Sequence, residues 1–283
     1  MTSDYSSLDW AIWGIIVVSC SFLLLSSILF YFFKYRKEGT KILTIEKLPI
    51  FGMFLAIFIF QAYITRVIPH TNEIIPFSMD DLTIVSIGFL YGPIEAIFFG
   101  AIADTTRTLI NGWGFQIIAF FILPITGLIS GYFGRMYKNK SINDKGSAES
   151  FIMKTNLLYI SFLALTFTWL LFFVEDLRLE VSFIYLGINL FFIIIFMIWM
   201  FLLLKNKKYR DLSLIFFISL AIIIARVITG YVIRPYSQYF YFNYNWLGEI
   251  NLRIASSSYL IYIRIFVYFY FIKSALYAID IVK

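Results

Sequence analysis

FIYLGINLFFIIIFMIWMFLLL, residues 183–204, contains no charged side chain, and its reading decides the class of the fold. At about 1.5 Å of rise per residue, such a stretch makes a helix about 33 Å long, enough to cross the roughly 30 Å hydrocarbon layer of a bilayer. Runs of similar character lie on both sides. Residues 155–174 precede it, and 212–233 and 254–277 follow. Towards the N-terminus the pattern recurs at 10–33, 48–68, 77–91, 93–110 and 115–135. Lipid cannot satisfy exposed backbone N–H and C=O groups, so spanning segments are helices or closed barrels, and no ten-residue strand alternation recurs here. The sequence therefore predicts an all-α polytopic membrane protein of nine spans.

Composition agrees. The chain has 283 residues, 61% hydrophobic and 14% charged, against about 45–50% and about 25% in soluble domains. The 33 Phe and 20 Tyr have two readings, an aromatic binding surface or a coding bias that enriches Phe, Ile, Tyr, Lys and Asn together. Cys20 is the only cysteine and His70 the only histidine, which leaves nothing for an internal disulfide, a Cys/His metal site or a His-based triad. No cofactor is expected. Residues 1–9 hold Asp4 and Asp9 but no Lys or Arg, and positive charge follows the first span rather than preceding it, unlike a cleavable signal.

Charge sets the expected orientation. Lys34, Arg36, Lys37, Lys41 and Lys47 follow the first span; Arg135, Lys138, Lys140, Lys145 and Lys154 follow the fifth; Lys205, Lys207, Lys208 and Arg210 follow the seventh. If these loops are cytoplasmic, all 13 lysines lie on one side, with the N-terminus outside and the C-terminus inside a plasma membrane. The net charge of +6 then reflects topology and anionic lipid, not a nucleic-acid partner. Polar residues 137–154 form a cytoplasmic linker, and the aromatic stretch 234–253 reads as a long outer loop, either a lid or a belt of interface aromatics.

Charges inside spans are costly and mark function by default. Asp104 and Arg107 share a helix face at i,i+3, where they either rivet each other or line a polar cavity. Arg226 and Arg264 have no acid at i±3 or i±4, so each needs a carboxylate such as Asp104 or Asp80, or a water-filled site. Asp80 and Asp81 near the start of the short third span, and Glu95 in the first turn after Pro93, suit the positive end of a helix dipole. Two small-xxx-small pairs, Gly52 with Ala56 and Gly127 with Gly131, permit close helix approach. Gly112-Trp113-Gly114 lacks the Lys and Ser/Thr of a phosphate loop, so active transport would draw energy from a partner.

Several of these features occur in an order that resembles a known family. Gly52-Met-Phe-Leu-Ala56, Phe89-Leu90-Tyr91-Gly92-Pro93, Gly100-Ala-Ile-Ala-Asp104, Gly112-Trp113-Gly114-Phe115 and Gly127-x-x-x-Gly131 look like the first four helices of an energy-coupling-factor (ECF) transporter S component, folate type. Asn251-Leu252-Arg253 is similar to the basic opening of that family's last helix. The resemblance implies a six-helix S-component-like core plus about three extra transmembrane helices. The layout is an extra N-terminal helix and basic loop in 1–46, four core helices in 47–136, the linker in 137–154, an inserted pair in 155–210 and the last two core helices in 211–283. It implies a vitamin ligand held by Asp104, Arg107, Trp113, Phe115, Arg253 and Asp80, with Gly52 and Ala56 facing an EcfT-type coupling protein that works with two ATPases. Folate is the favoured cargo, with riboflavin or pantothenate as alternatives and no catalysis by the chain itself. A membrane enzyme acting on lipid would need paired acids or a nucleophile with its base, and neither motif is present. A non-transport structural membrane protein remains the rival of a different class.

Overall fold

In the computed structural model, the residues described are 15, 17–29, 33, 47–67, 81–111, 115–139, 145–173, 179–257 and 260–282. Helices α1 (Val17–Leu29), α2 (Leu48–Val67), α3 (Asp81–Tyr91), α4 (Pro93–Asn111), α5 (Ile117–Phe120) and α6 (Ile122–Asn139) make up the first half. Then come α7 (Lys145–Phe173), α8 (Leu179–Lys205), α9 (Tyr209–Ala225), a π-helical segment (Arg226–Ile233), α10 (Arg234–Phe242), α11 (Trp246–Ser257) and α12 (Leu260–Val282). No strand occurs among the described residues. Five stretches are long and apolar enough to cross a bilayer: Ile117–Asn139, Gly146–Leu171, Ile184–Lys205, Tyr209–Phe242 and Leu260–Ala278. The chain is an all-α, multi-pass membrane protein.

The nine expected spans differ in length, and the third is short as expected. Val17–Leu29, Leu48–Tyr63 and Asp81–Tyr91 are apolar but shorter. α4 occupies an expected span yet is the least lipid-like of them, because Glu95, Asp104 and Arg107 fall within its 19 residues. One face of α4 packs on α6, while Phe98, Ile102 and Leu109 on the other are exposed.

α6 is the axis of the molecule, packed on α3, α4 and α9. Its contact with α3 and α4 is made of backbone. A Cβ on Gly127 would stand 2.5 Å from the carbonyl oxygen of Ala96, and one on Gly134 2.5 Å from the Cα of Phe89. Gly131 lies against Pro93, and Gly88 of α3 against Ser130. From α4, a Cβ on Gly100 would reach the Leu123 carbonyl at 2.8 Å. Lipid supplies no hydrophobic drive for helix association, so close van der Waals approach through small residues is what binds these helices. The α3–α4 turn is equally constrained. Gly92 has φ 116°, in the left-handed region that favours glycine, and its N–H bonds the Gly88 carbonyl at 3.0 Å.

The lysine-bearing end is tied across helices. Lys47 pairs with the buried Glu95 at 2.9 Å, Lys138 donates to the Leu90 carbonyl, Arg210 to the Tyr137 hydroxyl at 3.2 Å, and Lys273 pairs with Asp211. Glu95 is therefore more than a dipole partner, since it anchors the start of α4 to the start of α2. On the other flank, α7 is fixed by side-chain hydrogen bonds. Tyr159 bonds Ser219 of α9 at 2.6 Å, Tyr185 of α8 donates to Thr166 at 3.0 Å, and the Trp169 indole donates to Asn251 of α11 at 2.9 Å.

Residues 234–253, expected as a loop, are helical except for a short turn at 243–245. α9 runs unbroken through the π segment into α10, a 34-residue rod from Tyr209 to Phe242. The Arg234 N–H bonds the Thr229 carbonyl, five residues back. That wider turn immediately precedes Pro235, whose ring would collide with a carbonyl in a regular α turn. Asn243 closes α10 in a left-handed conformation (φ 58°), and the Asn245 side chain caps α11 by accepting from the Leu247 and Gly248 N–H groups at 3.1 and 3.3 Å. Two asparagines thus supply the stop and start signals.

Gly127→Val places side-chain atoms inside the Ala96 backbone and should cost about 3 kcal/mol or more, read as a large fall in the melting temperature of the purified protein. Gly52→Ala, whose added Cβ meets nothing within 4 Å, should leave the melt unchanged.

Candidate functional site

The polar interior lies away from the lysine-bearing end, where α3, α6, the π segment and α12 converge. A cavity of about 20 Å³ is lined by Asp81, Val85, Thr126, Ile222, Ala225, Arg226, Thr229, Arg264 and Tyr268. That volume suits one ordered water. Each polar side chain comes from a different constraint. Asp81 sits in the first turn of α3, where the helix dipole favours an acid. Thr126 and Thr229 donate their hydroxyls to the i−4 carbonyls of Ile122 and Ala225 at 2.9 and 2.7 Å, which leaves oxygen lone pairs towards the cavity. Arg264 is buried on α12 and donates from Nη1 to Asp81 Oδ2 at 3.5 Å, a long contact for a charge-assisted pair.

Arg226 opens the π segment. Its guanidinium lies over the Tyr231 ring at 5.6 Å. Its aliphatic stem folds across Gly230, where a Cβ would meet Arg226 Cδ at 2.7 Å and Nε at 3.0 Å. Arg264, Arg234 and Asp81 are all within its electrostatic reach. The lining therefore joins two guanidinium groups, one carboxylate and two threonine hydroxyls around a water-sized space. It contains no histidine, cysteine or pair of carboxylates, so what it offers is polar and ionic recognition.

The residues expected to bind ligand are distributed differently. Asp104 is 3% exposed and accepts from Arg107 Nη2 at 2.5 Å, an i,i+3 pair within α4. It is not the partner of Arg264, whose carboxylate is Asp81. Arg234 lies within electrostatic reach of both Asp104 and Arg226, and so links the α4 pair to the cavity region. Arg253 does not open the last helix. It sits inside α11, pairs with Glu249 at 3.2 Å and donates to Gln238 of α10 at 2.6 Å, tying those two helices together. Phe115 is exposed and packs on Phe120 with ring centroids 5.5 Å apart. None of Asp104, Arg107, Phe115 or Arg253 lines the cavity. Asp80 and Trp113 lie outside the described residues.

The two small-residue pairs separate cleanly. Gly127 and Gly131 are consumed by packing inside the chain. Gly52 and Ala56 are both exposed on α2, on a face shared with Met53, Phe60 and Tyr63. The cavity residues that sequence reasoning did not assign to a site are Asp81, Thr126, Arg226, Thr229, Arg264 and Tyr268. Arg226 and Arg264 carried a signal as charges without helical partners, and Gly230 at i+4 from Arg226 marked the space its side chain would need. The threonines carried none, since Ser and Thr are ordinary in membrane helices.

The Asp104–Arg107 pair is a test of structural against ligand-holding roles. Leaving one charge of a buried pair uncompensated costs about 3–5 kcal/mol, and the 17% side-chain exposure of Arg107 places Asp104→Leu near the low end. The double variant Asp104→Leu/Arg107→Leu should recover most of that loss in thermal melts, because it removes both charges together. Comparison with family models, curated proteins and solved structures finds no match for this chain.

Proposed function

We propose that the chain is the substrate-binding membrane subunit of an energy-coupling-factor importer, capturing folate or a related vitamin at the outer face and delivering it inward when joined to an EcfT-type protein and two ATPases. The observation that carries this reading is the polar cavity between α3, the π segment and α12. It is a cluster of ionic and hydroxyl groups drawn from several helices, at the end remote from the lysines. With the lysines cytoplasmic, that end faces outward, where cargo arrives. The exposed pair Gly52 and Ala56 adds support, since a bare stripe on α2 lets a partner's helix approach closely. The chain performs no chemistry in this reading.

The cavity of about 20 Å³ is far below the roughly 300 Å³ that encloses a vitamin-sized ligand. Binding therefore requires the α3 side to part from the π segment, and the long Asp81–Arg264 contact of 3.5 Å is the tie that must give. Riboflavin and pantothenate fit the same logic. A second reading, a structural membrane protein without cargo, draws support from the mutual pairing of Asp104 with Arg107 and the tight glycine packing around α6.

Equilibrium binding of tritiated folate, riboflavin, thiamine and pantothenate to the purified protein separates the two. Saturable binding of one vitamin, weakened about tenfold or more by Arg264→Ala, is the expected result. No binding of any of the four moves the assignment to the structural reading. Coupling has its own measurement: Gly52→Leu should leave vitamin binding and the melt intact but abolish uptake in membranes that hold the partner proteins, and undiminished uptake would remove the role given to α2.

A further inference from the structure

We infer that Arg226 and Arg264 form a clamp for an anionic oxygen, a carboxylate or a phosphate, and that Gly230 is the residue that positions Arg226 in it. The two guanidinium groups come from separate elements, the π segment and α12, yet line one cavity. They lie close enough to act on each other electrostatically, with Arg234 adding a third like charge near Arg226. Like charges in a low-dielectric bundle repel strongly, and an anion between them converts that repulsion into two attractions. A guanidinium has five N–H donors, and one carboxylate takes at most two of them in a fork. A guanidinium held by one carboxylate therefore has the valence to grip a second anion. Arg264 reaches Asp81 at 3.5 Å, longer than a tight charge-assisted pair. The cavity that both arginines line has room for one water-sized group, the size of a single carboxylate or phosphate oxygen.

Gly230 gives the clamp its geometry. A side chain there would occupy the path of the Arg226 stem at Cδ and Nε. Residue 230, four positions on from 226, lies against the Arg226 stem, and the guanidinium stands over the Tyr231 ring. Arg226 is the contacting residue and Gly230 acts through it. The clamp rests on the importer reading only for the identity of the molecule that bears the anion. Two sources share this chemistry, a dissolved anion and the headgroup of an anionic lipid.

The test uses the full chain in nanodiscs of phosphatidylcholine alone, with the melting temperature followed against sodium acetate and against sodium phosphate, referenced to sodium chloride at equal ionic strength. A saturable rise with acetate or phosphate beyond that of chloride is expected. Arg226→Gln and Arg264→Gln should each raise the half-saturating concentration about tenfold or more. In nanodiscs containing phosphatidylglycerol, a stabilisation that both Gln variants lose and dissolved phosphate competes away assigns the headgroup as the source. No saturable response in either disc, or the same response in wild type and both Gln variants, overturns the clamp. Should the Gln variants fail to fold, Gly230→Ala decides, because it retains both arginines. It should weaken anion binding about tenfold, whereas an unchanged half-saturating concentration rejects the positioning role. A purely structural glycine would lower the melt without moving that concentration. Anion binding without vitamin binding discards the importer reading and keeps the clamp. Vitamin binding indifferent to Arg226→Gln does the reverse.

Discussion

Backbone resting on backbone, with no side chain between, is the contact that organises this molecule. α6 meets α3 and α4 through Gly88, Gly100, Gly127, Gly131 and Gly134, so three helices pack at distances that any Cβ would prohibit. In water, burial of apolar area drives helices together, but among lipid tails it does not, and the gain comes from dispersion at close range. Once these three helices are locked, the short α3 has a defined height. Asp81 at its start is then delivered to the level of Arg264 on α12, and Thr126 on α6 to the level of Thr229. The polar cavity is a by-product of that register.

The distribution of polar groups follows from the same solvent argument. Buried serines and threonines return their hydroxyls to carbonyls of their own helices, as Ser86, Thr126, Thr155, Ser219 and Thr229 do. Charges are held in pairs or gathered at the two ends of the bundle. Lys47, Lys138, Arg210 and Lys273 close one end by cross-helix contacts. Asp81, Arg226, Arg234 and Arg264 gather near the other, where α10 and α11 cover the bundle with aromatic and polar side chains. α12 serves both regions, carrying Arg264 towards the cavity and Lys273 to Asp211 at the opposite end.

The fold class was plain in the chain because uncharged runs such as 183–204 admit only a lipid-crossing helix. The Asp104–Arg107 pair was legible too, since i,i+3 spacing places both side chains on one face wherever the helix goes. Other features were invisible for physical reasons. The partner of Arg264 is 183 residues away, and no local pattern encodes a contact of that kind. Residues 234–253 are too polar on average to read as a span and so read as loop, yet they fold as amphipathic helices bounded by two asparagines. Arg253 looked like a helix-opening ligand residue by position, but its reach to Gln238 was set by the turn at 243–245. Gly52-x-x-x-Ala56 and Gly127-x-x-x-Gly131 share the small-xxx-small pattern, and packing distinguishes the pair that is exposed from the pair that is consumed.

The hydrogen bonds that fasten α7 have an implication for how such a protein can change over generations. Ser219 of α9 and Asn251 of α11 are matched to Tyr159 and Trp169 of α7. The rings of Tyr159, Phe192 and Phe196 enclose Tyr262 of α12. Shedding α7 and α8 would take the indole donor from Asn251 of α11 and uncover the ring and hydroxyl of Tyr262 on α12. A viable shorter descendant would need matching replacements on both α11 and α12. Once the interlock had formed, α7 and α8 became far easier to keep than to lose.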